Sequence, residues 1–539
     1  MKRLISTTLL LLAALSGLAG ERIYIVTDRN AYIAGDMVYC SLFVVDDSGA
    51  QSNFSAVSYL ELISAEGTAV EAKIGLFAGR GAGAFRLPSG MPSGNYRLVA
   101  YTSGNAYSPD GARTLAVFNT SSLARVKGGV RLNSGWKPAP LPAEEAKGGI
   151  RVSMPGRRRT GQSATLMIHG TSAQASVAVS VAREDGLAPA DGQSLETFLQ
   201  GAPAPRTDRP GEYEGEIIEA AVMGLKNASG QQVTAILSTA DSPSSVYLGR
   251  DAGKGHIRFY TSNIYGDREL VCEVLSQMDD TAYISLASPF THPSPGDIAP
   301  LELGSEQRSL LISRKSALAC ELQLDTLLEF LPKREDLLLD ESTRRRYHLD
   351  DYTRFPTVRE ICVEFIPELS FVKRDGRWRI RMMSSDGAEQ RHYMQENVLV
   401  MMDGVVLSDH GMLESFDAML LEDIDLYMQS VVIGGVSYNG VVNFISKNNY
   451  VTALPFPPSV RVVDFKGVSY PLAYPGGVPS DGADRRHLLF WHPALDVPSD
   501  GMLRIPLTMP SYPGVFRVQV EGWTADGQPV SACYRFEVE

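Results

Sequence analysis

The sequence predicts a mostly β, multi-domain protein in which antiparallel β-sandwiches flank a helical stretch and one small α+β domain. Three observations favour this fold class. The 539 residues are too many for one hydrophobic core. Short runs of alternating apolar and polar side chains recur along the chain between Gly and Pro, which is typical of half-buried strands joined by turns. Apolar residues at helical spacing appear between residues 301 and 365.

Composition and charge exclude several classes of protein. Hydrophobic residues make up 44% of the chain and charged residues 21%, so a wholly disordered chain is excluded. Lys and Arg total 50 against 62 Asp and Glu, which gives a net charge of −12. This balance argues against a nucleic-acid partner, because such a protein needs a basic surface against phosphate.

Residues 1–20 have the pattern of a secretory signal peptide. Lys2 and Arg3 precede a short apolar stretch, and the small residues that follow indicate cleavage after Ala19, with Gly20 as the next choice. That stretch is shorter than the roughly 20 residues of a membrane span, and no later stretch is apolar enough to form one. Glu21 stands where a lipoprotein requires Cys, so lipidation is not expected. The sequence therefore predicts an exported protein with no transmembrane span after cleavage.

The first and last segments of the mature chain each predict an antiparallel sandwich, at residues 21–120 and 455–539. Runs at 93–102 and 513–521 share one pattern, in which a turn glycine is followed by an aromatic residue, an arginine and aliphatic residues on one face. This repetition indicates a recurring sandwich unit.

Composition and periodicity mark further boundaries between these segments. Good helix formers at Glu306–Leu331 predict a long helix that ends at Pro332, and Thr357–Phe365 predicts a second helix with one buried face. Asp375-Gly376 predicts the turn of a hairpin. The units predicted in between are a second sandwich segment at 145–186, a Gly- and Pro-rich linker or loop at 187–211, a sandwich at 212–292, a helical spacer at 301–345 and the α+β domain at 346–450.

The segment Asp28-Arg29-Asn30-Ala31-Tyr32-Ile33-Ala34-Gly35-Asp36, together with the later run Gly94–Leu98, resembles the macroglobulin-type (Ig-like) sandwich of large envelope proteins of Bacteroidetes. Gly35 permits a tight turn, and Asp36 can hydrogen-bond the backbone within it. The sandwich at 212–292 is similar to a carboxypeptidase-regulatory-like domain. The resemblance implies stacked β modules in an exported chain.

A second resemblance lies in residues 346–450, which are similar to the plug domain of TonB-dependent outer-membrane receptors. Val398–Val405 is a strand that ends in Asp-Gly, Leu421–Tyr427 is an Asp-Ile-type strand, and Tyr438–Lys447 supplies Gly-Val-Val before a last strand. The motif residues, which the resemblance implies to be structural or interaction positions, are Asp403, Gly404, Asp423, Asp425, Gly440 and Asn443.

Two departures limit what these resemblances imply. About 90 residues follow Asn449, whereas a receptor barrel needs roughly 22 strands, and no TonB-box segment is evident near the mature N-terminus. We therefore expect a plug-like module that works without a barrel. Protease-trapping macroglobulins carry a Cys-Gly-Glu-Gln thioester, and no Cys here is followed by Gly. Covalent trapping is not expected.

Motifs that carry catalytic or metal chemistry are not found in the sequence. It contains no HExxH, GxSxG or CxxC, its eight His form no spaced ligand pair, and its five Cys are scattered. Asp423 and Asp425 lie two apart on one strand face, where an outward-facing polar surface is favoured over a metal or acid–base pair. We predict no catalytic, cofactor-binding or metal-binding residue, and no cofactor.

These observations predict a non-catalytic binding or scaffolding protein of the cell envelope, in the periplasm or associated with the outer membrane. Its partner would be an envelope or outer-membrane protein, such as a component of a transport or assembly complex. One alternative is a surface glycan-binding protein or adhesin, which would use exposed aromatic side chains. Another alternative is a hydrolase whose active site is dispersed along the sequence.

Overall fold

The computed structural model describes residues 20–138, 143–188, 193–224, 234–240, 245–262, 264–275, 281–324, 329–330, 339, 341–383, 397–433, 435–469, 472–474, 478 and 483–539. The predicted signal peptide lies outside this range except for Gly20. The described chain is mostly β with several sheets, which confirms the predicted fold class. None of its helices has the length and apolar character needed to cross a membrane.

The fold divides into two compact units. The first comprises the described residues of Met1–Tyr213, Phe290–Pro332 and Val468–Glu539. The second comprises those of Glu214–Pro289 and Lys333–Gly467.

The first eight strands form a two-layered sandwich with one core. They are β1 (Glu21–Thr27), β2 (Ala31–Ile33), β3 (Met37–Asp46), β4 (Val57–Ser64), β5 (Gly67–Phe77), β6 (Arg80–Arg86), β7 (Gly94–Tyr101) and β8 (Arg113–Phe118), in the spatial order β1-β3-β6-β5-β4-β7-β8-β2. Ile23 and Leu42 from one layer share the core with Leu62 and Leu98 from the other. The period-2 alternation seen in the sequence places these side chains inward.

The turn between β2 and β3 has the predicted chemistry. Gly35 has φ +100°, a left-handed conformation that favours glycine. The Asp36 carboxylate accepts a 2.7 Å hydrogen bond from the Ile33 N–H, which closes the turn and directs the chain back into the sheet.

The next segment carries five short strands and one helix. These are β9 (Val130–Leu132), β10 (Glu145–Lys147), β11 (Arg151–Ser153), β12 (Ser163–His169), β13 (Ala175–Arg183) and α1 (Leu195–Gln200). The segment 187–211, predicted as a linker or loop, contains the helix α1. Ser194 and Thr197 form a capping box, and the fully buried Phe198 packs on Tyr24 and Trp523.

Residues 217–286 form most of one seven-stranded sheet in the second unit. Its strands are β14 (Ile217–Met223), β15 (Thr234–Thr239), β16 (Val246–Gly253), β17 (His256–Tyr260), β18 (Asp267–Leu275) and β19 (Tyr283–Leu286). Back in the first unit follow β20 (Leu301–Leu303), which pairs in parallel with β9, then α2 (Arg308–Glu321) and β21 (Glu329–Phe330). The predicted long helix therefore ends ten residues early, and a two-residue strand replaces its last turn.

The predicted α+β domain contains two further helices, two hairpins and a five-stranded sheet. Its elements are β22 (Arg344–His348), α3 (Val358–Glu364), β23 (Leu369–Arg374), β24 (Arg377–Met382), β25 (Leu399–Met402), β26 (Val405–Val406), α4 (Gly411–Glu414), β27 (Leu421–Tyr427), β28 (Val431–Ile433), β29 (Val436–Tyr438) and β30 (Val441–Ser446). The sheet order is β22-β27-β30-β25-β26. Val358, Ile361 and Cys362 form the buried face of α3.

The last strands complete both units. They are β31 (Val460–Lys466), β32 (Leu472–Ala473), β33 (Leu488–Val497), β34 (Met502–Thr508), β35 (Gly514–Thr524) and β36 (Pro529–Val538). β31 pairs with β18 and forms an edge of the seven-stranded sheet, whose order is β19-β14-β17-β16-β15-β18-β31. β32 pairs with β21.

The sequence predicted a second sandwich segment at 145–186 and a separate C-terminal sandwich at 455–539. The structure instead joins strands of both segments in one sandwich. β13 lies between β33 and β35 in a five-stranded sheet of order β10-β36-β35-β13-β33, and β12 lies between β11 and β34 in the opposing sheet. Val177 and Val179 share one core with Val518 and Val520. We call this structure the split sandwich, because its strands come from two distant parts of the chain.

Short 3₁₀ turns lie at Pro109–Gly111, Ser305–Gln307, Glu341–Thr343, Leu349–Asp351, Ala418–Leu420 and Tyr450–Ala453. All five cysteines are free thiols. Burial raises the pKa of Cys40, Cys272 and Cys362 to about 12, so these thiols remain protonated and act as small core side chains.

Candidate functional site

The five-stranded sheet of the second unit brings the predicted motif residues into two groups. Asp403 and Gly404 join β25 to β26, and Asn443 lies on the neighbouring strand β30. Asp423 and Asp425 lie on β27, and Gly440 immediately precedes β30. The first three meet at one turn, whereas the two aspartates form a separate cluster with the edge strand β22.

The Asp403-Gly404 turn is locked by side-chain hydrogen bonds. Its residues have φ +48° and +82°, as a two-residue type I′ hairpin turn requires. The Asp403 carboxylate accepts hydrogen bonds from the Ser446 N–H and hydroxyl, both at 2.7 Å, and from the Val451 N–H at 3.2 Å. The Gly404 N–H donates to the Asn443 side-chain oxygen at 3.2 Å. These contacts give Asp403 and Asn443 a structural role.

Gly440 cannot carry a side chain in this fold. It has φ +100°, and a Cβ there would lie 2.8 Å from the Met382 sulfur and 3.1 Å from the Tyr427 carbonyl oxygen. The backbone of β30 therefore approaches β27 and β24 closely at this point, which only glycine permits.

Asp423 and Asp425 do not form the outward-facing polar surface that the sequence favoured. Both are buried, with 7% and 2% exposure, and lie opposite His348 and Arg346 in the antiparallel β22–β27 register. Arg346 forms a bidentate pair with Asp425, with both contacts at 2.7 Å, and also reaches Asp423 at 3.2 Å. We call Arg346, His348, Asp423 and Asp425 the edge cluster.

The edge cluster is an ion-pair network with one titratable member near neutral pH. His348 Nδ1 lies 2.7 Å from an Asp423 oxygen, and this hydrogen bond raises the pKa of the half-exposed imidazole above its usual range. A bidentate guanidinium already occupies both Asp425 oxygens, so a metal ion would have to displace Arg346 to bind there. The arrangement is suited to charge pairing at a sheet edge.

The other face of β22 has a second pairing. Arg345 contacts Glu368 at 2.5 Å, and the Tyr347 hydroxyl donates to the same carboxylate at 2.6 Å. Burial and this hydrogen bond raise the pKa of Tyr347 above its usual range. β22 thus alternates partners from one face to the other while it remains at the edge of the sheet.

Arg346 and His348 were not predicted from the sequence as members of a site. The signal that could have found them is the matching period of two, because arginine and histidine at 346 and 348 complement aspartates at 425 and 423 on an antiparallel neighbour. No local sequence pattern indicates that β22 and β27 are neighbours, because 75 residues separate His348 from Asp423.

A second polar network, which the sequence also did not reveal, is buried in the first unit. Glu321, at the end of α2, contacts Arg29 at 3.1 Å and accepts hydrogen bonds from the His487 and Leu488 N–H groups at 2.8 and 3.0 Å. Arg29 also pairs with Asp28 at 3.1 Å. Burial, as the largest cause, raises the pKa of Asp28 to about 6. We call Glu321, Arg29, Asp28 and His487 the helix anchor, since they fix α2 to both sandwiches of the unit.

His487 is an unusual member of the helix anchor. Its side chain is 2% exposed, and neither ring nitrogen has a hydrogen-bond partner in the described part of the chain. Burial lowers the pKa of the imidazole well below its usual range, and the nearby Arg314, Arg29 and Arg183 lower it further. Asp185 lies 4.0 Å from Nδ1 and also holds Arg314 at 2.6 Å. His487 is therefore neutral in the folded protein.

No family model matches the sequence, and no curated protein matches it. Among solved structures, trypsin-activated alpha-2-macroglobulin from Escherichia coli aligns with 96% of this chain and 41% of its own, at 9% identity and a TM-score of 0.25. Methylamine-reacted alpha-2-macroglobulin from Salmonella aligns with 96% of this chain and 39% of its own, at 10% identity and a TM-score of 0.24.

An adhesin gives a weaker similarity. The Escherichia coli adhesin FdeC aligns with 47% of this chain and 60% of its own, at 11% identity and a TM-score of 0.16. The chain spans about two fifths of the length of the macroglobulins that it matches. At this level of similarity, neither a shared activity nor a shared ligand follows.

Proposed function

We propose that this chain is a non-catalytic binding or scaffolding protein of the cell envelope, with a macroglobulin-like first sandwich at 21–120 and a plug-like module at 346–450. Its partner is an envelope or outer-membrane protein. An extended segment of that partner adds to strand β22 as a further strand of the five-stranded sheet.

The observation that carries this proposal is the position and composition of β22. Among the described strands it has one sheet neighbour, β27, so its other edge is available for strand addition. Arg345 and Arg346 expose 51% and 38% of their side chains at that edge. Main-chain hydrogen bonds would supply affinity, and side-chain contacts on the two faces of β22 would supply specificity.

A site-specific photocrosslinker tests this proposal in cells. The probe replaces Arg345 in the full chain, and a matched control chain carries it at Glu422, an exposed position on the interior strand β27 of the same sheet. We expect one or a few envelope proteins to crosslink at 345 and not at 422, as identified by mass spectrometry. Equal crosslinking at both positions, or none at 345, would contradict strand addition at β22.

One observation favours the glycan-binding alternative as a second candidate. Tyr352 stacks on Phe365 with ring centroids 4.4 Å apart and planes inclined by 1°, and it is 40% exposed beside the exposed Asp351. Flat aromatic surfaces next to carboxylates suit sugar rings, which stack their apolar faces and hydrogen-bond through their hydroxyls.

A glycan array separates the two candidates. If the chain binds glycans here, Tyr352→Ala should abolish the array signal and leave crosslinking at position 345 unchanged. Tyr260→Ala is the control, because Tyr260 is 48% exposed and lies on β17 of the seven-stranded sheet. Absence of a signal from the unmodified chain, or its loss in the Tyr260→Ala control alone, would remove this candidate.

A further inference from the structure

Three side chains that are distant in the sequence converge on the first sandwich. Glu61 on β4 lies directly opposite Glu71 on β5 in the antiparallel register. The imidazole of His292 lies over this pair, with Nδ1 3.2 Å from a Glu61 oxygen and 3.5 Å from a Glu71 oxygen. One ligand atom from each residue lies within 4.8 Å of the other two.

Two carboxylates in this group face a single imidazole. Like charges directly opposite each other destabilise an antiparallel pair, and a buried carboxylate requires a compensating charge. The Glu61 side chain has 0% exposure, and among the described residues its only basic partner is His292. A neutral imidazole would leave the Glu61 charge without a counter-charge.

The distances match a coordination geometry. Ligand atoms at about 2.0–2.1 Å from a tetrahedral ion are separated from one another by about 3.3 Å. The two imidazole–carboxylate distances, 3.2 and 3.5 Å, have this length. The Glu71 side chain is 37% exposed, so it can rotate to bring its oxygen within the same distance of Glu61.

Hydrogen bonds around Glu61 hold its carboxylate in place. The Tyr101 hydroxyl donates to one oxygen at 2.5 Å, and the Thr68 hydroxyl donates to the other at 2.8 Å. The His292 N–H also donates to the carboxylate at 3.1 Å, which ties the loop that carries the imidazole to the site. Such outer contacts orient carboxylate ligands in metal sites.

We propose that Glu61, Glu71 and His292 bind a divalent first-row transition-metal ion, with Zn²⁺ as the best match to two carboxylates and one imidazole. The ion binds Nδ1 of the imidazole and one oxygen of each carboxylate, and it places a positive charge between the two opposed glutamates. The sequence predicted no metal ligand, since His292 lies 221 residues after Glu71 and outside any recognised motif. The site goes beyond the proposed binding function and does not depend on it.

Titration of the purified full chain with zinc chloride tests this site. Isothermal calorimetry should show one saturable site per chain. His292→Ala and Glu71→Gln should each weaken binding at least about tenfold. His256→Ala is the matched control, because this histidine is exposed on β17 and should leave binding unchanged.

Circular dichroism and melting temperatures distinguish loss of the metal site from loss of the fold. Circular dichroism establishes that each variant is folded, and neither Glu71 nor His292 is fully buried, so both should tolerate substitution. Zn²⁺ should raise the melting temperature of the wild type and of His256→Ala only. No saturable binding to the wild type, or unchanged binding in His292→Ala, would overturn the proposal.

Discussion

At the scale of single residues, the Asp403 carboxylate shows how a polar side chain completes hydrogen bonds that the backbone alone does not make. Asp403 accepts hydrogen bonds from the N–H and hydroxyl of Ser446, the last residue of β30, and from the N–H of Val451 beyond the strand. Leaving such donors unsatisfied costs roughly 1–3 kcal/mol per group.

Asp403→Ala should lower the free energy of unfolding of the second unit by about 2–4 kcal/mol, because two buried N–H groups lose their acceptor. Urea denaturation followed by tryptophan fluorescence measures this change. Asp375→Ala is the control, since Asp375 has φ +47° in the Asp-Gly turn between β23 and β24 but is exposed. Equal losses in both variants would mean that turn conformation, rather than the hydrogen bonds, is responsible.

The buried imidazole of His487 should make the free energy of unfolding depend on pH. Its folded-state pKa is lowered, so the unfolded chain binds a proton near pH 6.5 that the folded chain does not. The neutral imidazole therefore stabilises the folded chain above that pH. This contribution to the free energy of unfolding decreases as pH falls, by about 1.4 kcal/mol per pH unit. Wild type should lose about 2 kcal/mol more than His487→Gln between pH 6.5 and 5.

This difference is measured by urea denaturation at several pH values. Comparison with His487→Gln is necessary because the raised pKa values of Asp28 and Asp36, each about 6, act in the opposite direction over the same range. Identical pH profiles for wild type and His487→Gln would show that the imidazole becomes charged without cost in the folded chain.

At the scale of elements, local sequence determines where many helices and turns begin. Thr357 caps α3 through a reciprocal capping box with Glu360, and Asp375-Gly376 forms the predicted hairpin turn. α2 differs, since it ends early and is held by the helix anchor. Its register in the unit depends on Glu321, whose partners come from two distant segments.

Glu321→Ala should detach the C-terminal end of α2. Arg29 would lose a partner and two N–H groups of the His487 segment would lose their acceptor, which costs about 3 kcal/mol in a buried ion-pair network. Hydrogen exchange should show faster exchange throughout Arg308–Glu321. Glu306→Ala, an exposed acidic residue just before α2, should leave exchange unchanged. Unchanged protection in Glu321→Ala would refute the anchoring role.

At the scale of the whole molecule, both units are assembled from segments that are far apart in sequence. The split sandwich needs β33–β36 to enclose β13, and the seven-stranded sheet needs β31 beside β18. The C-terminal segment therefore contributes strands to both units, which local patterning did not indicate.

A chain that ends at Gly467 should fold only in part. β13 would lose β33 and β35, its neighbours on both sides, so its amides should exchange rapidly in hydrogen-exchange mass spectrometry. β18 keeps β31 and should retain its protection, which provides an internal control. Slow exchange of β13 in the truncated chain would show that its sheet does not depend on the last 72 residues.

The strand-rich class, the turns at Gly35 and Asp375-Gly376 and the helix α3 follow from local sequence, because they depend on neighbouring residues and on the period of a strand or helix. The pairing of Asp423 and Asp425 with His348 and Arg346, and the shared core of segments 145–186 and 455–539, follow from the fold alone. Any strand with one apolar face can pair with many others. The choice among them depends on packing and charge complementarity between residues that the sequence separates.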